Sequence, residues 1–134
     1  MAKKLSHTEC FAYFGTKPHN VQWSWSAKSP DGKTVVVTLW QDMFERRDGR
    51  FIYERPGFNP SEPDTRPGFR ELMKNLEWAR DHCDGRFRVI VGIAKDRNAR
   101  PRAIKECFPS DKLVMKLTHL DTLIGAFTAE AATD

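Results

Sequence analysis

The sequence predicts a single α+β domain, residues 1–134. It should hold a curved, mostly antiparallel sheet or small barrel of about six strands, one main helix and one or two short helices. Three observations carry this. Strand-like runs outnumber helical ones, and most of those adjacent in sequence can pair antiparallel. One sixteen-residue stretch, Gly68 to Cys83, holds its apolar residues at helical spacing. A chain of 134 residues, 40% hydrophobic and 30% charged, is long enough for one core without staples.

The elements follow in order. Ser6 to Phe14 reads as a short helix, because Ser6 and Glu9 form a capping box and Gly15 stands at the expected stop. Val21 to Ala27 alternates, with Val21, Trp23 and Trp25 on one face and Gln22, Ser24 and Ser26 on the other, the period of a half-buried strand. Ser29 to Gly32 is a turn, since Pro30 presets the backbone and Gly32 accepts a positive φ. Thr34 to Trp40 is β-branched and nearly continuous, so it predicts a more central strand. Asp48-Gly49 marks a reversal before a short strand, Arg50 to Tyr53. The first half therefore reads as a three-stranded antiparallel meander.

Four prolines between Glu54 and Gly68 exclude a regular element there. Such a long loop is either functional or disordered. In the helix that follows, Phe69, Leu72, Met73, Leu76, Ala79 and Cys83 form one stripe, with Pro67 at its start and Gly85 at its stop. Phe87 to Ala94 is a buried strand. Pro101 to Cys107 reads as one or two helical turns, and Leu113 to His119 with Ile124 to Ala129 as a last hairpin.

Formal net charge is +4, a mild surplus that permits nucleic acid binding without demanding it. Its distribution says more. Arg86 to Lys105 holds seven cations and one acid, Asp96. A buried strand that delivers Lys95, Arg97, Arg100, Arg102 and Lys105 from its end presents positive charge on a rigid base, as phosphate-binding proteins do. Arg100 is held extended by Pro101, which would open a short helix whose first N–H groups suit an anion. The same segment also reads as a solvated loop, with Asp96 and Asn98 making turn hydrogen bonds.

Aromatic residues crowd the first half. Trp23 and Trp25 share a face with Val21, which points to core packing for at least one of them. Trp40 points away from Val35, Val37 and Leu39 and is followed by Gln41 and Asp42. A flat aromatic with polar neighbours is what recognition of an unstacked base requires. The expected base pocket is therefore Trp23, Trp25, Trp40, Gln41 and Asp42.

Other chemistry has thin support. Three cysteines, Cys10, Cys83 and Cys107, fit neither a disulfide framework nor paired zinc knuckles, so no metal is expected. Cys83 closes an apolar stripe, and His19 and His119 are isolated. No glycine-rich phosphate cradle or serine elbow stands in the chain, and no cofactor is implied. A cysteine–histidine pair would need Cys10 or Cys107 to meet His19 or His119 in space. An acid–acid–lysine nuclease set from Asp42, Glu54 and Lys95 has no distinguishing spacing. The start MAKKLSHTECF lacks the apolar run of a signal peptide, and no segment reaches the length of a membrane span. A cytoplasmic protein with reduced thiols and no membrane partner is expected.

The combination of YFG at Tyr13 to Gly15, WSW at Trp23 to Trp25, TLWQD at Thr38 to Asp42 and IAKDRNARPR at Ile93 to Arg102 resembles a group of small bacterial proteins. The expected architecture is similar to the PUA-like superfamily, which includes the EVE and ASCH domains. That resemblance implies a curved-sheet barrel that binds RNA or holds a modified base in an aromatic pocket, with Trp23, Trp25 or Trp40 at the stacking position. Two functions follow: a nucleic-acid-binding module, DNA or RNA, that reads a flipped or modified base, or a small enzyme acting on a nucleotide or nucleic acid. An interaction subunit of a larger complex is a third class open to so small a domain.

Overall fold

The computed structural model describes residues 5–20, 23–57, 61, 66–99 and 103–132. Helix α1 (His7–Tyr13) opens on the expected capping box, with the Ser6 hydroxyl accepting the Glu9 N–H and the Glu9 carboxylate accepting the Ser6 N–H. Strands β1 (Ser26–Lys28) and β2 (Val35–Trp40) pair antiparallel across the Ser29 to Gly32 turn. A 3-10 turn, Gln41–Met43, leads into β3 (Phe44–Arg47), and Asp48-Gly49 returns the chain as β4 (Arg50–Arg55). Both turn residues have positive φ, 52° and 78°. That is the type I′ geometry whose twist matches the strands it joins.

Helix α2 (Pro67–His82) follows, started by Pro67 and closed where the Gly85 N–H donates to the Ala79 carbonyl at 2.8 Å. Strands β5 (Arg86–Ala94), β6 (Ile104–Asp121) and β7 (Ala126–Ala131) complete the chain. Among the described residues the fold is one small α+β domain: a seven-stranded mixed sheet that does not close, in the order β1-β2-β5-β6-β7-β4-β3, and two helices. Strands β2 and β5 are parallel, and the other neighbours pair antiparallel.

The helices cover opposite faces of the sheet. Val35, Val37 and Leu39 of β2 and Phe87, Val89 and Val91 of β5 pack with Leu72, Met73, Leu76 and Ala79 of α2. Val36 and Ile90, on the other face, pack with Cys10 and Phe11 of α1 and with Cys107. Burial on both faces is why β2 and β5 read as continuous apolar runs. Strand β6 bends the sheet: its first part pairs with β5 and its last part with β7, with register shifts in both ladders. Such bulges kink a strand and increase its twist. Among the described residues no helix is long and apolar enough to cross a membrane.

Several expectations need correction. The sheet has seven strands, not about six, because the charged run Phe44–Arg47 also pairs. The meander ends after two strands. Arg50–Arg55 pairs with β3 and β7 at the far edge, since the other neighbour of β2 is β5. Residues Ile104 to Cys107, expected as helical turns, are extended in β6, where Cys107 lies opposite Gly92 and Ile104 opposite Ala94. Pairing with β5 overrides local helical preference there. Pro101 and Arg102 lie outside the described residues. The last hairpin exists, but its first strand begins well before Leu113.

Leu76 is 0% exposed at the centre of the α2 stripe. Replacing it with alanine should cost about 2–5 kcal/mol of unfolding free energy, read from denaturant melts. A loss under about half a kilocalorie would show that the stripe does not anchor the sheet.

Candidate functional site

The serines, not the tryptophans, of the segment Trp23–Ser26 face the core. Ser24 is 4% exposed and Ser26 0%, while Trp23 and Trp25 are half-buried. Helix α2 supplies the cause. Its Glu71 carboxylate accepts a hydrogen bond from Ser24, and one turn later the Asn75 amide donates to the Ser26 hydroxyl at 2.8 Å. Residues i and i+4 of the helix thus hold residues i and i+2 of an extended segment. Ser24 further accepts the Asn20 N–H at 3.0 Å and donates its own N–H to the Asn20 carbonyl at 2.9 Å. With both serines turned to α2, Trp23 and Trp25 are directed elsewhere.

They line a pocket of about 520 Å³ together with Trp40. The rest of the wall comes from the start of α2, the end of β4 and the start of β7, including Arg66, Phe69, Tyr53, Arg55 and Phe127. Trp40 leaves the α2 face of β2 as its sequence position predicts. Its ring lies over Gly92, where a Cβ would stand 3.6 Å from it, and 5.5 Å from the Trp25 ring at a 54° tilt. The Trp25 carbonyl accepts the Thr38 N–H at 2.8 Å, so the segment is tied to β2 as well as to α2. Thr38, another wall residue, is 2.7 Å from His7 Nε2, and burial pushes the His7 pKa down.

The curl of the sheet closes the pocket's far side. Strands β2 and β4 are not neighbours, yet the Tyr53 hydroxyl accepts the Trp40 N–H at 3.3 Å. Arg55, opposite Phe127 in the ladder, donates to the Gly125 carbonyl, and its guanidinium lies 5.4 Å from the Phe69 ring centre. Glycine suits that position, since its φ is 71° and a Cβ would also fall 2.5 Å from the Phe69 ring.

The remaining sequence-derived candidates lie elsewhere. Gln41 and Asp42 are exposed in the 3-10 turn and do not contribute to the pocket wall. Lys95, Arg97 and Lys105 are exposed at the end of β5 and the start of β6. Arg100 and Arg102 fall outside the described residues. Asp96 accepts the Asn98 N–H at 2.9 Å, the expected turn bond. Because Gly92 sits opposite Trp40 in the parallel pair, this cationic loop leaves the sheet at the pocket end of β2. Cys10 and Cys107 meet each other on the α1 face, 3.6 Å apart, and burial beside Cys107 pushes the Cys10 thiol up to about 12. Glu54 is exposed on β4 with Arg47 3.5 Å away. Among the described residues no cluster of three or more histidine, cysteine or acidic side chains is placed to hold a metal ion.

Arg55, Tyr53, Phe69, Phe127 and Arg66 were not candidates from sequence. Their convergence depends on the β4–β7 pairing and on where α2 begins. Pro56 and Gly57, which end β4 next to Arg55, are the one local cue. Comparison with protein-family models, with curated proteins and with solved structures finds no match.

Gly68 is where α2 meets the tryptophan segment. A Cβ there would stand 2.3 Å from the Trp23 carbonyl oxygen and 3.1 Å from Trp25. Alanine favours a helix interior over glycine by about 1 kcal/mol, but overpacking costs about 1–3 kcal/mol, and rigid backbone cannot give way cheaply. Gly68→Ala should therefore destabilise the protein and shift its tryptophan emission. A variant with a raised melting temperature and unchanged emission would refute this contact. Burial also raises the Glu71 pKa, opposed by the Ser24 bond and by His19. A carboxyl whose folded pKa is raised contributes stability below its unfolded pKa and loses it as pH rises through the folded value. Relative to Glu71→Gln, the wild type should therefore lose stability between acid and neutral pH, and parallel pH profiles would contradict that.

Proposed function

We propose that the protein binds nucleic acid, DNA or RNA, and takes one unstacked base into the pocket lined by Trp23, Trp25 and Trp40. Lys95, Arg97, Arg100, Arg102 and Lys105 would hold the neighbouring backbone. The observation that carries this reading is the convergence of three half-buried tryptophans from two separate segments on one cavity. A volume of about 520 Å³ falls in the ~300–1,000 Å³ range of small-ligand sites. Indole faces stack on any base, and the half-buried guanidinium of Arg55 adds positive charge to the wall. The PUA-like resemblance points the same way, since those domains hold a base in an aromatic pocket.

Binding is favoured over turnover by the chemistry of the wall. Its described residues include no carboxylate, imidazole or thiol, the groups that most often move protons in catalysis. The enzyme reading would need a proton carrier reaching in from another part of the chain.

Tryptophan fluorescence or anisotropy titrations on single- and double-stranded DNA and RNA across a salt series test the reading. Trp40→Ala should weaken binding about ten- to a hundredfold, from the ~1–3 kcal/mol of one base–aromatic stack. Each loop cation removed should lower the log–log salt slope by about 0.7 to 0.9. Absence of binding to all four at low salt would end the proposal, as would undiminished affinity in a folded Trp40→Ala protein.

A further inference from the structure

Cys10 and Cys107 are 97 positions apart in the chain, yet their sulfurs lie 3.6 Å from each other on the α1 face of the sheet. Neither is a surface thiol: Cys10 is 0% exposed and Cys107 4%. They belong to different elements, Cys10 to α1 and Cys107 to the first part of β6. The segment entering α1 is tied to the same point. Leu5 bridges Cys107, and the Leu5 carbonyl lies 3.9 Å from the Cys107 sulfur. The two thiols are therefore brought to the same spacing whenever α1 packs on the sheet. A disulfide holds its sulfurs about 2.0 Å apart, so forming the bond asks for a shift of about 1.6 Å. Cys83 does not compete for either sulfur, because it ends α2 on the opposite face.

We infer that Cys10 and Cys107 form a redox-sensitive staple, free thiols in the structure described above and a disulfide when a small-molecule disulfide such as oxidised glutathione is in excess. The thiolate of one cysteine attacks the oxidant, forming a mixed disulfide and releasing one small thiol. The other cysteine then attacks the protein sulfur of that mixed disulfide and releases the second. Over both steps the two protein thiols lose two electrons and two protons, and the S–S bond of the oxidant becomes two thiols. Access sets the threshold. Burial beside Cys107 pushes the Cys10 thiol up to about 12, so the closed pair stays protonated and resists attack. Exposing the pair needs α1 to lift, and a seven-residue helix has little stability of its own. After the first attack, the return of α1 toward the sheet brings the second thiol into range, which favours the intramolecular step. The bond then holds α1 in place, and with it His7, whose Nε2 lies 2.7 Å from the Thr38 hydroxyl of the pocket wall.

The experiment uses the full chain carrying Cys83→Ala, which removes the third thiol. The protein is reduced, freed of reductant and incubated with excess oxidised glutathione well below its melting temperature. Iodoacetamide in denaturant then counts the remaining thiols by intact mass, and digestion maps any bond. The protein should take two labels before oxidation, on Cys10 and Cys107, and none afterwards, with both cysteines in one cross-linked peptide. The melting temperature should rise by about 5–15 °C, because the bond closes a long loop of the unfolded chain. Dithiothreitol should reverse both changes. Adding Cys10→Ala should abolish the rise and leave Cys107 either labelled or carrying glutathione. Two labels after prolonged oxidation would make the pair a packing contact and overturn the staple. So would separate glutathione adducts on the two sulfurs, or a cross-link that fails to raise the melting temperature. Should Cys83→Ala fail to fold, the same peptide map and melts on the wild type decide the matter.

Discussion

The parallel pairing of β2 with β5 is the constraint from which the rest of the architecture follows. Parallel neighbours cannot be joined by a tight turn, so the chain must leave the sheet after Trp40 and return at Arg86. It spends that excursion on two elements. The β3–β4 hairpin travels to the opposite edge of the sheet, and α2 then crosses the face to bury its stripe on β2 and β5. The carboxyl end of β2 is thus the place where the excursion departs, and the pocket opens there. Ligand sites in sheets with parallel strands favour such ends, because neighbouring connections diverge and leave a crevice.

Curvature converts that crevice into a cavity with walls. Only the three residues Gln41–Met43 separate β2 from β3, so the edge strand must start close to where β2 stops. The sheet meets this demand by bending along β6, whose eighteen residues serve β5 at one end and β7 at the other. Tyr53 then reaches the Trp40 backbone across the open side. Stability and an open aromatic wall pull against each other here. Three indoles left half-buried forgo part of the ~25 cal/mol per Å² that full burial of apolar surface gives. The serines beneath them compensate by fixing the segment to α2 with hydrogen bonds, so the rings are held by their backbone instead of by the core.

Local signals in the sequence describe most of the elements. The Ser6–Glu9 capping box, the Asp48-Gly49 turn, the α2 stripe and the run before Ala94 each depend on residues within a turn or two of one another, and each is found. What local reading misses depends on distant partners. Phe44–Arg47 carries three charges in four residues, and it is a strand only because β4 pairs with it as an edge. Ile104 to Cys107 is extended because β5 offers a ladder. The alternation of Trp23 to Ser26 was legible as alternation, but its sense was not. Hydrophobicity assigns the tryptophans inward, whereas Glu71 and Asn75, some fifty residues away, draw the serines inward instead. The tryptophans were therefore recognisable as candidates for a pocket wall and Arg55 was not, since nothing near Arg55 in sequence tells that Phe127 and Phe69 will lie beside it.

That reversal also ties the pocket to the fold. Its wall is assembled from the segment before β1, the end of β2, β4, the start of α2 and β7, and these meet only when the sheet has curled and α2 has docked. No short piece of the chain carries a partial site. A ligand that fills the cavity therefore binds the folded state and not the unfolded chain, so it must raise the stability of the whole domain as its concentration rises. The contact between Gly68 and the Trp23 carbonyl lies on this path, because it sets both where α2 begins and where the first tryptophan stands. At that point the core packing that stabilises the sheet and the placement of the aromatic wall are one interaction, and a change to either is a change to both.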